Sequence, residues 1–440
     1  MGCWKWLYPG MGVKRWLLLV VLGVLLFSGG VVLLADVHSV ALIRILIAGW
    51  FYRLTGLIPS ELVNWAAMGC ILLGSFFICF GIRQTINSLI SVLMPRPTPS
   101  LVDLVYSKRQ LGRGPKIVAF GGGTGLSTLL RGLKEFSGNL TAVVTVADDG
   151  GSSGRLRSQL GIPAPGDIRN TLVALADTEP LMEKLFQYRF AEGEELKGHS
   201  FGNLFIAAMT AVLGDFQEAV RQSSRVLFIR GQVLPSTLAS VVLRASYNDG
   251  STVTGESKIP SPGKRIERLY LDPPSPPAVK ETLDAIAEAD IIVLGPGSLY
   301  TSVLPNLLVA GVVDALRAST AVRIYVCNVM TQPGETDGYT AADHLQAVLD
   351  HAGEKIVDYV LVNSQRAPAR LIKRYREEGA HQVQIDGHRL QSMGVQVVKR
   401  ALMEESDLAR HDPQKLAQAV IEIWLQHRGN SQRSLVAGIE

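Results

Sequence analysis

The chain has few cysteines, and the four that it has are scattered at Cys3, Cys70, Cys79 and Cys327. They show neither metal-ligand spacing nor the disulfide framework that stabilises small secreted domains. Cys70 and Cys79 fall within an apolar run, and Cys327 ends a predicted strand. This usage indicates a reducing compartment.

Motifs of several common protein classes are also missing. The sequence has no Gly-x-Ser-x-Gly elbow, no cysteine with a plausible histidine partner and no His-Glu zinc motif. Any catalysis would therefore be metal-assisted transfer between bound phosphates. There is no internal repeat and no nucleic-acid motif, and the net charge is only +4, so nucleic acid is not an expected partner.

Long apolar runs are present near the N-terminus. Positions 16–35 form about one bilayer span without a charge, and positions 62–82 form a second. Basic residues precede the first and follow the second, so the positive-inside rule predicts a cell-membrane protein with both termini and the large domain cytoplasmic. The alternatives are a signal peptide and buried core helices. The sequence leaves open whether segment 38–56 is an interfacial helix or part of the hairpin.

Composition divides the chain further. We predict a membrane segment at 1–93, a proline-rich and basic linker at 94–115, an α/β domain at 116–428 and a flexible tail at 429–440. Strand and helix patterns alternate in the domain, which predicts a Rossmann-like, doubly wound, mostly parallel sheet with helices on both faces. Segment 232–271 departs from this pattern and predicts an antiparallel insertion.

A glycine-rich turn follows the first predicted strand and opens a helix. Its residues, called here the glycine loop, are Gly121, Gly122, Gly123, Thr124 and Gly125. Glycines let a phosphate approach the backbone, and the start of the next helix is positive. A P-loop has a lysine followed by serine or threonine after its glycines, and here Leu126 stands before Ser127, so the lysine is missing. Leu126 also stands where the dinucleotide fingerprint has its third glycine.

An acidic loop at 147–155 follows the second predicted strand. Asp148 and Asp149 suit sugar hydroxyls or Mg²⁺, although one of them could cap the turn instead. Ser152 and Ser153 are small enough for close approach, and Arg155 suits a phosphate. Together with the glycine loop, this segment predicts a nucleotide or phosphosugar site.

Two helix starts add polar candidates. Gly166, Asp167, Arg169 and Asn170 combine an N-cap with a fork of donors, although Asp167 could simply cap the helix and pair with Arg169. Asn203, which follows a glycine at the start of another apolar helix, is predicted to bind a base or sugar.

The segment Gly295–Thr301 predicts a second phosphate cradle, built from Gly295, Gly297, Ser298 and Thr301. Two cradles on neighbouring strands suit a diphosphate or a nucleotide-sugar. Asn328 extends the same edge. Tyr375, among cations, is predicted to stack on a base, or else belongs to a solvated helix face.

Six motifs in order resemble those of the YvcK-type gluconeogenesis factors: GGGTGLSTLLRGLK, TVADDGGSSGRLR, PGDIRN, GHSFGNL, LGPGSLYTSVLPNLL and MTQPGETDGYT. These factors belong to the CofD-like group, which also contains the 2-phospho-lactate transferase of coenzyme F420 synthesis. The resemblance runs from Lys116 to about Arg410 and leaves out the first hundred or so residues.

The resemblance implies a regulator that binds a UDP-sugar such as UDP-N-acetylglucosamine and links carbon metabolism to cell-wall synthesis and cell shape. The alternative is a CofD-like phospholactyl transferase in which Asp148 and Asp149 would hold Mg²⁺, the one cofactor considered. A third is a scaffold that binds a membrane protein. Expected partners are the UDP-sugar, the membrane, an unidentified cell-wall protein and a second copy of the chain.

Overall fold

The computed structural model describes residues 13–34, 45, 49–50, 52–53, 60–93, 109–177, 180–260, 263–404 and 408–437. The chain divides into two compact units, Met1–Tyr106 and Ser107–Glu440. Most of segment 38–56 and residues 94–108 of the predicted linker lie outside the described residues.

The N-terminal unit contains the two predicted apolar helices, α1 (Lys14–Leu34) and α2 (Ser60–Leu93). By length and composition, Lys14–Leu34 and Asn64–Ser88 could each cross a membrane. Little of either stretch is buried within the protein, so their large apolar side chains are mostly exposed. A soluble core helix would instead bury such side chains.

Small residues line the contact between α1 and α2. A Cβ at Gly23 would lie 2.8 Å from the carbonyl oxygen of Gly74, and one at Gly30 would lie 2.7 Å from that of Ala67. A Cβ at Gly81 would lie 3.0 Å from the carbonyl oxygen of Trp16. The two helices thus pack backbone against backbone, as membrane helices do through small residues.

The larger unit is built on two sheets. Their strands are β1 (Ile117–Gly121), β2 (Leu140–Val144), β3 (Gln232–Pro235), β4 (Val242–Tyr247), β5 (Thr252–Thr254), β6 (Ile266–Asp272), β7 (Ile291–Leu294), β8 (Val322–Val326), β9 (Tyr359–Asn363) and β10 (Gln396–Arg400). The main sheet has seven strands in the order β10-β9-β8-β7-β1-β2-β3, all parallel.

Helices connect the strands and cover the main sheet. They are α3 (Gly123–Leu133), α4 (Gly151–Leu160), α5 (Gly166–Leu175), α6 (Pro180–Gln187), α7 (Phe201–Leu213), α8 (Phe216–Val226), α9 (Lys280–Ala287), α10 (Leu304–Leu307), α11 (Val312–Ala318), α12 (Ala341–Ala352), α13 (Ala369–Glu377), α14 (Gly387–Ser392) and α15 (Pro413–Ala437). Val118 and Phe120 of β1 enter one hydrophobic cluster, whereas Ile117 and Ala119 enter another. Since successive strand side chains point to opposite faces, both faces are covered and the predicted fold class is confirmed.

The strand order reverses beside β1. The chain passes from β1 to β2 and β3 on one side, then returns to place β7 on the other side of β1. In open parallel sheets, ligands bind outside the carboxyl ends of the strands at such a switch point. The glycine loop follows β1, and the segment Gly295–Thr301 follows β7, so both lie at this point.

The second sheet is antiparallel, with the order β5-β4-β6. The prediction of an antiparallel insertion is right for Val242–Asp272 and wrong for Gln232–Pro235, which pairs with β2 in parallel. Because β3 has only four residues, its sequence shows no periodicity that could assign it to a sheet. It pairs with the free edge of β2 instead. At the C-terminus, α15 continues to Ala437, although the sequence predicts a flexible tail at 429–440.

Candidate functional site

A cavity of about 450 Å³ lies at the switch point, and we call it the switch-point cavity. The loops after β1, β2, β7 and β8 contribute to its wall. Its lining residues are Gly122, Gly123, Thr124, Gly125, Thr128, Asp148, Asp167, Glu256, Pro296, Gly297, Ser298, Thr301, Ser302, Asn328, Val329, Met330, Gln332, Ala409, Arg410 and His411.

Four of the five residues of the glycine loop, from Gly122 to Gly125, line this cavity. Gly122 is the N-cap of α3 and has no side-chain cap hydrogen bond. Gly123 has a φ of +58°, and a Cβ at Gly125 would lie only 2.5 Å from the carbonyl oxygen of Pro296. Glycine is therefore required both by the turn and by the close approach of the next loop. The positive start of α3 opens on the cavity, as a phosphate site requires.

Gly121 and Gly295 lie outside the lining. Gly121 ends β1, and its carbonyl oxygen accepts a hydrogen bond from Asn306 Nδ2 at 3.2 Å. Gly295 has a φ of +80°, and a Cβ there would lie 3.2 Å from the carbonyl oxygen of Val326. Both glycines therefore shape the two loops without lining the cavity.

Three carboxylates, called here the acidic wall, also line the cavity: Asp148, Asp167 and Glu256. Asp167 contacts the glycine loop itself, because Gly123 N donates a hydrogen bond to its carboxylate and a Cβ at Gly122 would collide with it. Burial and the neighbouring charge of Asp148 raise the pKa of Asp167 to about 7. Burial and the charges of Asp148 and Asp167 raise the pKa of Glu256 to about 8. Crowded carboxylates disfavour their charged forms, so this wall favours hydroxyl donors or a cation.

Asp149 does not line the cavity. Its Oδ1 accepts a hydrogen bond from the main-chain N–H of Ser257 at 2.9 Å. A Cβ at Gly255 would collide with the same carboxylate. Asp149 therefore holds the 3₁₀ turn Glu256–Lys258, which carries Glu256 into the cavity. Of the two adjacent aspartates, Asp148 faces the cavity and Asp149 has this positioning role.

Ser152, Ser153 and Arg155 lie on α4, whereas the sequence predicts a loop. Asn203 Nδ2 donates to Ser152 Oγ at 3.1 Å and to Ser153 Oγ at 3.4 Å. His199 Nδ1 is 3.0 Å from Ser152 Oγ. This buried network joins the starts of α4 and α7, so these predicted ligand contacts are brought together behind the cavity wall.

Arg155 and Arg169 also have partners within the protein. Arg155 Nη2 donates to the carbonyl oxygen of Lys197 at 2.7 Å, and Arg169 Nη2 donates to Asn170 Oδ1 at 2.7 Å. Burial is the main cause of the lowered pKa of Arg169. Arg155, Arg169 and Asn170 are absent from the lining, so the predicted fork of donors does not reach the cavity.

Gly166 begins α5 and lies against the acidic wall. A Cβ there would lie 2.9 Å from Asp148 Oδ2 and would collide with Ser153 Oγ. Glycine therefore lets α5 bring Asp167 beside Asp148. Gly166 shapes the site without entering the lining.

Several polar groups of the second predicted phosphate cradle, Gly295–Thr301, are hydrogen-bonded to other residues of the protein. Gly297 N donates to Asn328 Oδ1 at 3.3 Å, and Asn328 Nδ2 donates back to the Gly297 carbonyl oxygen at 2.7 Å. Ser298 Oγ donates to Gln332 Oε1 at 2.7 Å. These bonds fix the loop while leaving Gly297, Ser298 and Asn328 in the cavity wall.

A buried glutamate completes this arrangement. Glu335 is 2% exposed and accepts hydrogen bonds from Tyr300 N at 3.3 Å and Thr301 Oγ1 at 3.2 Å. It therefore takes the place that an anion would occupy at the start of the π-helical segment Leu299–Val303. Burial raises the pKa of Glu335 to about 7.

Tyr375 stands behind the cavity wall. Its hydroxyl oxygen accepts a hydrogen bond from Ala409 N at 3.3 Å, and its ring packs against a cluster that includes Val329 and Ala409. Those two residues line the cavity, whereas Tyr375 does not. It therefore supports the wall without lining the cavity itself, and stacking of Tyr375 on a base stays a prediction.

Sequence reasoning missed Glu256, Arg410 and His411. Glu256 lies in the antiparallel insertion, far from every glycine motif, and the sequence has no signal for it. Arg410 and His411 form a basic pair just before α15, which is a weak signal at most. Arg410 is the one lysine or arginine among the described residues that line the cavity.

No group of three or more His, Cys, Asp or Glu residues in the described ranges could hold a metal. Asp148 and Asp167 nevertheless face the same cavity beside the glycine loop. Mg²⁺ often binds through one or two carboxylates together with substrate phosphates. This donor set fits a Mg²⁺ ion shared with a bound phosphate ligand and does not fit one held by the protein alone.

Replacing Glu256 should show how much the burial of its carboxylate beside Asp148 and Asp167 lowers the stability of the protein at high pH. A folded-state pKa of about 8 exceeds the unfolded value, so the stabilising protonated form is lost as pH rises from about 4.5 to 8. Glu256→Gln stays neutral, and we expect its free energy of unfolding at pH 8 to be higher by on the order of 1–2 kcal/mol. Thermal unfolding of the full chain in detergent with EDTA, at pH 5 and pH 8, measures this difference.

Glu194→Gln, at an exposed glutamate outside the cavity, is the matched control for that measurement. We expect its stability to follow that of the wild type at both pH values. Two results would contradict the raised pKa of Glu256. One is an equal change in unfolding free energy in both variants, and the other is a stabilisation by Glu256→Gln that is the same at pH 5 and pH 8.

The chain is similar to known proteins in sequence and in structure. A family model described as 2-phospho-L-lactate transferase CofD matches residues 117–403. A putative gluconeogenesis factor of Nostoc sp. is 47% identical over 422 residues, which cover 95% of this chain and 92% of that protein. The gluconeogenesis factor of Bacillus subtilis is 52% identical over 314 residues, covering 71% of this chain and 99% of that protein.

A crystal structure of a upf0052-family protein of Bacillus halodurans superposes with a TM-score of 0.68 at 52% identity. It covers 70% of this chain and 99% of the solved one. The Bacillus proteins are thus matched over nearly their whole length by part of this chain. Since the Nostoc match spans 95% of this chain, it must include most of the N-terminal unit as well.

Proposed function

Because the chain belongs to the gluconeogenesis factor family and contains a CofD domain, we propose that it is a regulator that binds a nucleotide-sugar. The observation that carries this proposal is that one cavity is lined both by a glycine loop at a helix start and by three carboxylates. The glycine loop at the start of α3 suits phosphate, and the carboxylates Asp148, Asp167 and Glu256 suit sugar hydroxyls. The volume of about 450 Å³ is typical of small-molecule sites.

The charges of the lining residues determine how we propose that the nucleotide-sugar lies in the cavity. A diphosphate beside three carboxylates would be repelled, whereas sugar hydroxyls can donate to them. We therefore place the diphosphate at the start of α3, with Arg410 as the cation of the lining. Asp167 contacts the same loop, and its pKa of about 7 lets it take up a proton beside a bound phosphate. Val329, Met330 and Ala409 give the wall an apolar part, which suits the face of a nucleobase.

We propose UDP-N-acetylglucosamine as the ligand, and a role that links carbon metabolism to cell-wall synthesis and cell shape. Both come from the resemblance of the motifs to the YvcK-type factors. An acetamido sugar and a uridine diphosphate have the hydroxyls, the phosphates and the flat base that these walls would contact. A protein partner in cell-wall synthesis and a second copy of the chain belong to the same proposal.

The second candidate is a CofD-like transferase that acts on a nucleotide-linked phospho-donor. The raised pKa values of Asp167 and Glu256 favour it, because crowded carboxylates beside a phosphate site suit a divalent cation. Bound Mg²⁺ would supply charge stabilisation to the transferring phosphate. Asp148 and Asp167 are the pair placed to hold it. Asp149, named from the sequence, is engaged with the Glu256 turn.

We also propose that α1 and α2 anchor the chain in the cell membrane, with both termini and the larger unit cytoplasmic. Lys14 and Arg15 at the start of α1 and Arg83 near the end of α2 support this orientation. Fractionation of cells that express the full chain tests the anchor. Recovery of the chain in the soluble fraction would overturn it.

Calorimetric titration of the full chain in detergent tests the ligand. We expect UDP-N-acetylglucosamine to bind with a dissociation constant on the order of 10 μM, which is about −7 kcal/mol. Free N-acetylglucosamine should not bind measurably, because it lacks the phosphates that the glycine loop recognises. The titration is run with and without Mg²⁺, and the recovered ligand is analysed.

Intact ligand after binding supports the regulator. A preference for GDP that requires Mg²⁺, or conversion of the ligand into a product, supports the transferase. If neither nucleotide binds under any of these conditions, the switch-point cavity is not a nucleotide site.

A further inference from the structure

His411 is a lining residue that neither proposed function explains. It is 6% exposed and lines the cavity together with Ala409, Val329 and Met330. It pairs in an isolated β-bridge with Met403, which belongs to the same hydrophobic cluster as Val329 and Ala409. It directly precedes α15, whose Pro413 carbonyl packs against Gly132 of α3. The segment that carries His411 is therefore held against the same helix whose start forms the phosphate wall.

The hydrogen bonds of His411 determine its tautomer. The carbonyl oxygen of Cys327 accepts a hydrogen bond from the ring, and Nε2 is buried without a partner among the described residues. Nδ1 is therefore the donor, and Nε2 carries a lone pair. Burial keeps the pKa of the ring at about 4, so the ring stays neutral at physiological pH.

A buried nitrogen without a partner requires an explanation, because nearly all such atoms in proteins are satisfied by protein, water or ligand. The surroundings of His411 indicate which part of a ligand would be the partner of Nε2. Three carboxylates already offer acceptors for sugar hydroxyls, and they come from other loops. The apolar lining residues Val329, Met330 and Ala409 belong to the hydrophobic cluster whose Met403 pairs with His411. An apolar surface suits the flat face of a base, whose edge carries N–H donors.

We infer that His411 Nε2 selects the nucleobase by accepting a hydrogen bond from a ring N–H at its edge. This inference rests on the proposed nucleotide-sugar site and makes His411 its specificity-determining residue. Uracil and guanine carry such a hydrogen, at N3 and N1. Cytosine and adenine carry a lone pair at the corresponding N3 and N1, which would oppose the lone pair of Nε2. With this contact made at the ring nitrogen and not at an exocyclic amino group, the cavity prefers uridine or guanosine nucleotides to cytidine or adenosine nucleotides.

The test uses the full chain in detergent and calorimetry with UDP, GDP, CDP and ADP, which share one phosphate part. We expect UDP or GDP to bind at least about tenfold more tightly than CDP and ADP, as expected for one hydrogen bond at a buried group. His411→Ala should weaken UDP or GDP to the level of CDP. The diphosphate of 3-methyluridine, which lacks the N3 hydrogen, should bind the wild type about tenfold less tightly than UDP.

Two controls separate this role from a general loss of binding. His388→Ala, at an exposed histidine outside the cavity, should keep the preference. Arg410→Ala should weaken all four nucleotides by a similar factor, since it acts on their shared phosphates. Thermal unfolding checks that each variant is folded, and the 3-methyluridine comparison needs no variant at all.

The outcomes distinguish a failure of the role of His411 from a failure of the proposed nucleotide site. Equal binding of all four nucleotides to the wild type, or an unchanged preference in folded His411→Ala, overturns the role of His411 and leaves the nucleotide site standing. Equal binding of UDP and its 3-methyl analogue does the same. Binding of none of the four overturns the proposed site and this inference with it.

Discussion

Gly125→Ala is expected to lower the affinity for UDP-N-acetylglucosamine by about 100-fold. The new Cβ would lie 2.5 Å from the Pro296 carbonyl oxygen and 2.8 Å from Gly297 Cα. Both are main-chain atoms and cannot rotate away, so the loops after β1 and β7 must separate. Overpacking of this kind typically costs 1–3 kcal/mol, and about 1.4 kcal/mol corresponds to a tenfold change in affinity. Calorimetry on the full chain in detergent measures the loss.

Gly112→Ala is the matched control for this variant. A Cβ at Gly112 has nothing within 4 Å, and the residue lies before β1 in the same unit. We expect its affinity to equal that of the wild type. If Gly125→Ala also bound the ligand normally while remaining folded, the contact between the two loops would not define the binding site.

Gly74→Leu is expected to destabilise the N-terminal hairpin by about 3 kcal/mol or more, as a bulky side chain in a tight contact does. A Cβ at Gly74 would lie 2.6 Å from both the Gly23 carbonyl oxygen and the Phe27 nitrogen. Leucine keeps the span apolar, so insertion into a membrane should not change. Unfolding of the full chain in a detergent titration with SDS, followed by far-UV circular dichroism, measures the effect.

Gly69→Leu offers a control on the same helix, because a Cβ at Gly69 has nothing within 4 Å. There the exchange only gains helix propensity, which favours leucine over glycine by up to about 1 kcal/mol. Gly69→Leu should therefore be as stable as the wild type or slightly more so. Equal destabilisation by both leucines would mean that α1 and α2 do not pack through their glycines.

Much of the fold could be predicted from periodicity and glycine placement. Ile117–Phe120 and Ile291–Leu294 are short apolar runs followed by glycine, and both become central strands of the main sheet. At its edges, β3 was predicted as part of the antiparallel insertion and β10 was not predicted as a strand. Strands at the ends of a sheet have a partner on one side only, so their residues carry a weaker hydrophobic pattern.

The candidate site was predictable in part. The positions of the glycine loop, Asp148 and Asp167 follow from local rules, because each comes directly after a strand or opens a helix. Their partners could not be predicted in this way. Ser298 bonds Gln332, and Asp149 bonds the turn of Glu256 at a separation of 108 residues. Such contacts depend on how distant segments meet in space.

The sequence by itself determined the apolar helices, the alternating α/β architecture and the glycine loop at the start of α3. Each of these is a local property of composition, spacing or backbone freedom. Only the tertiary structure decided that Glu335 occupies the second cradle, that Asp149 supports Glu256 and that His411 stands in the cavity wall. The physical reason is that hydrogen-bond partners and burial are properties of the packed chain, and one polar residue can be a ligand contact or an internal support depending on its neighbours.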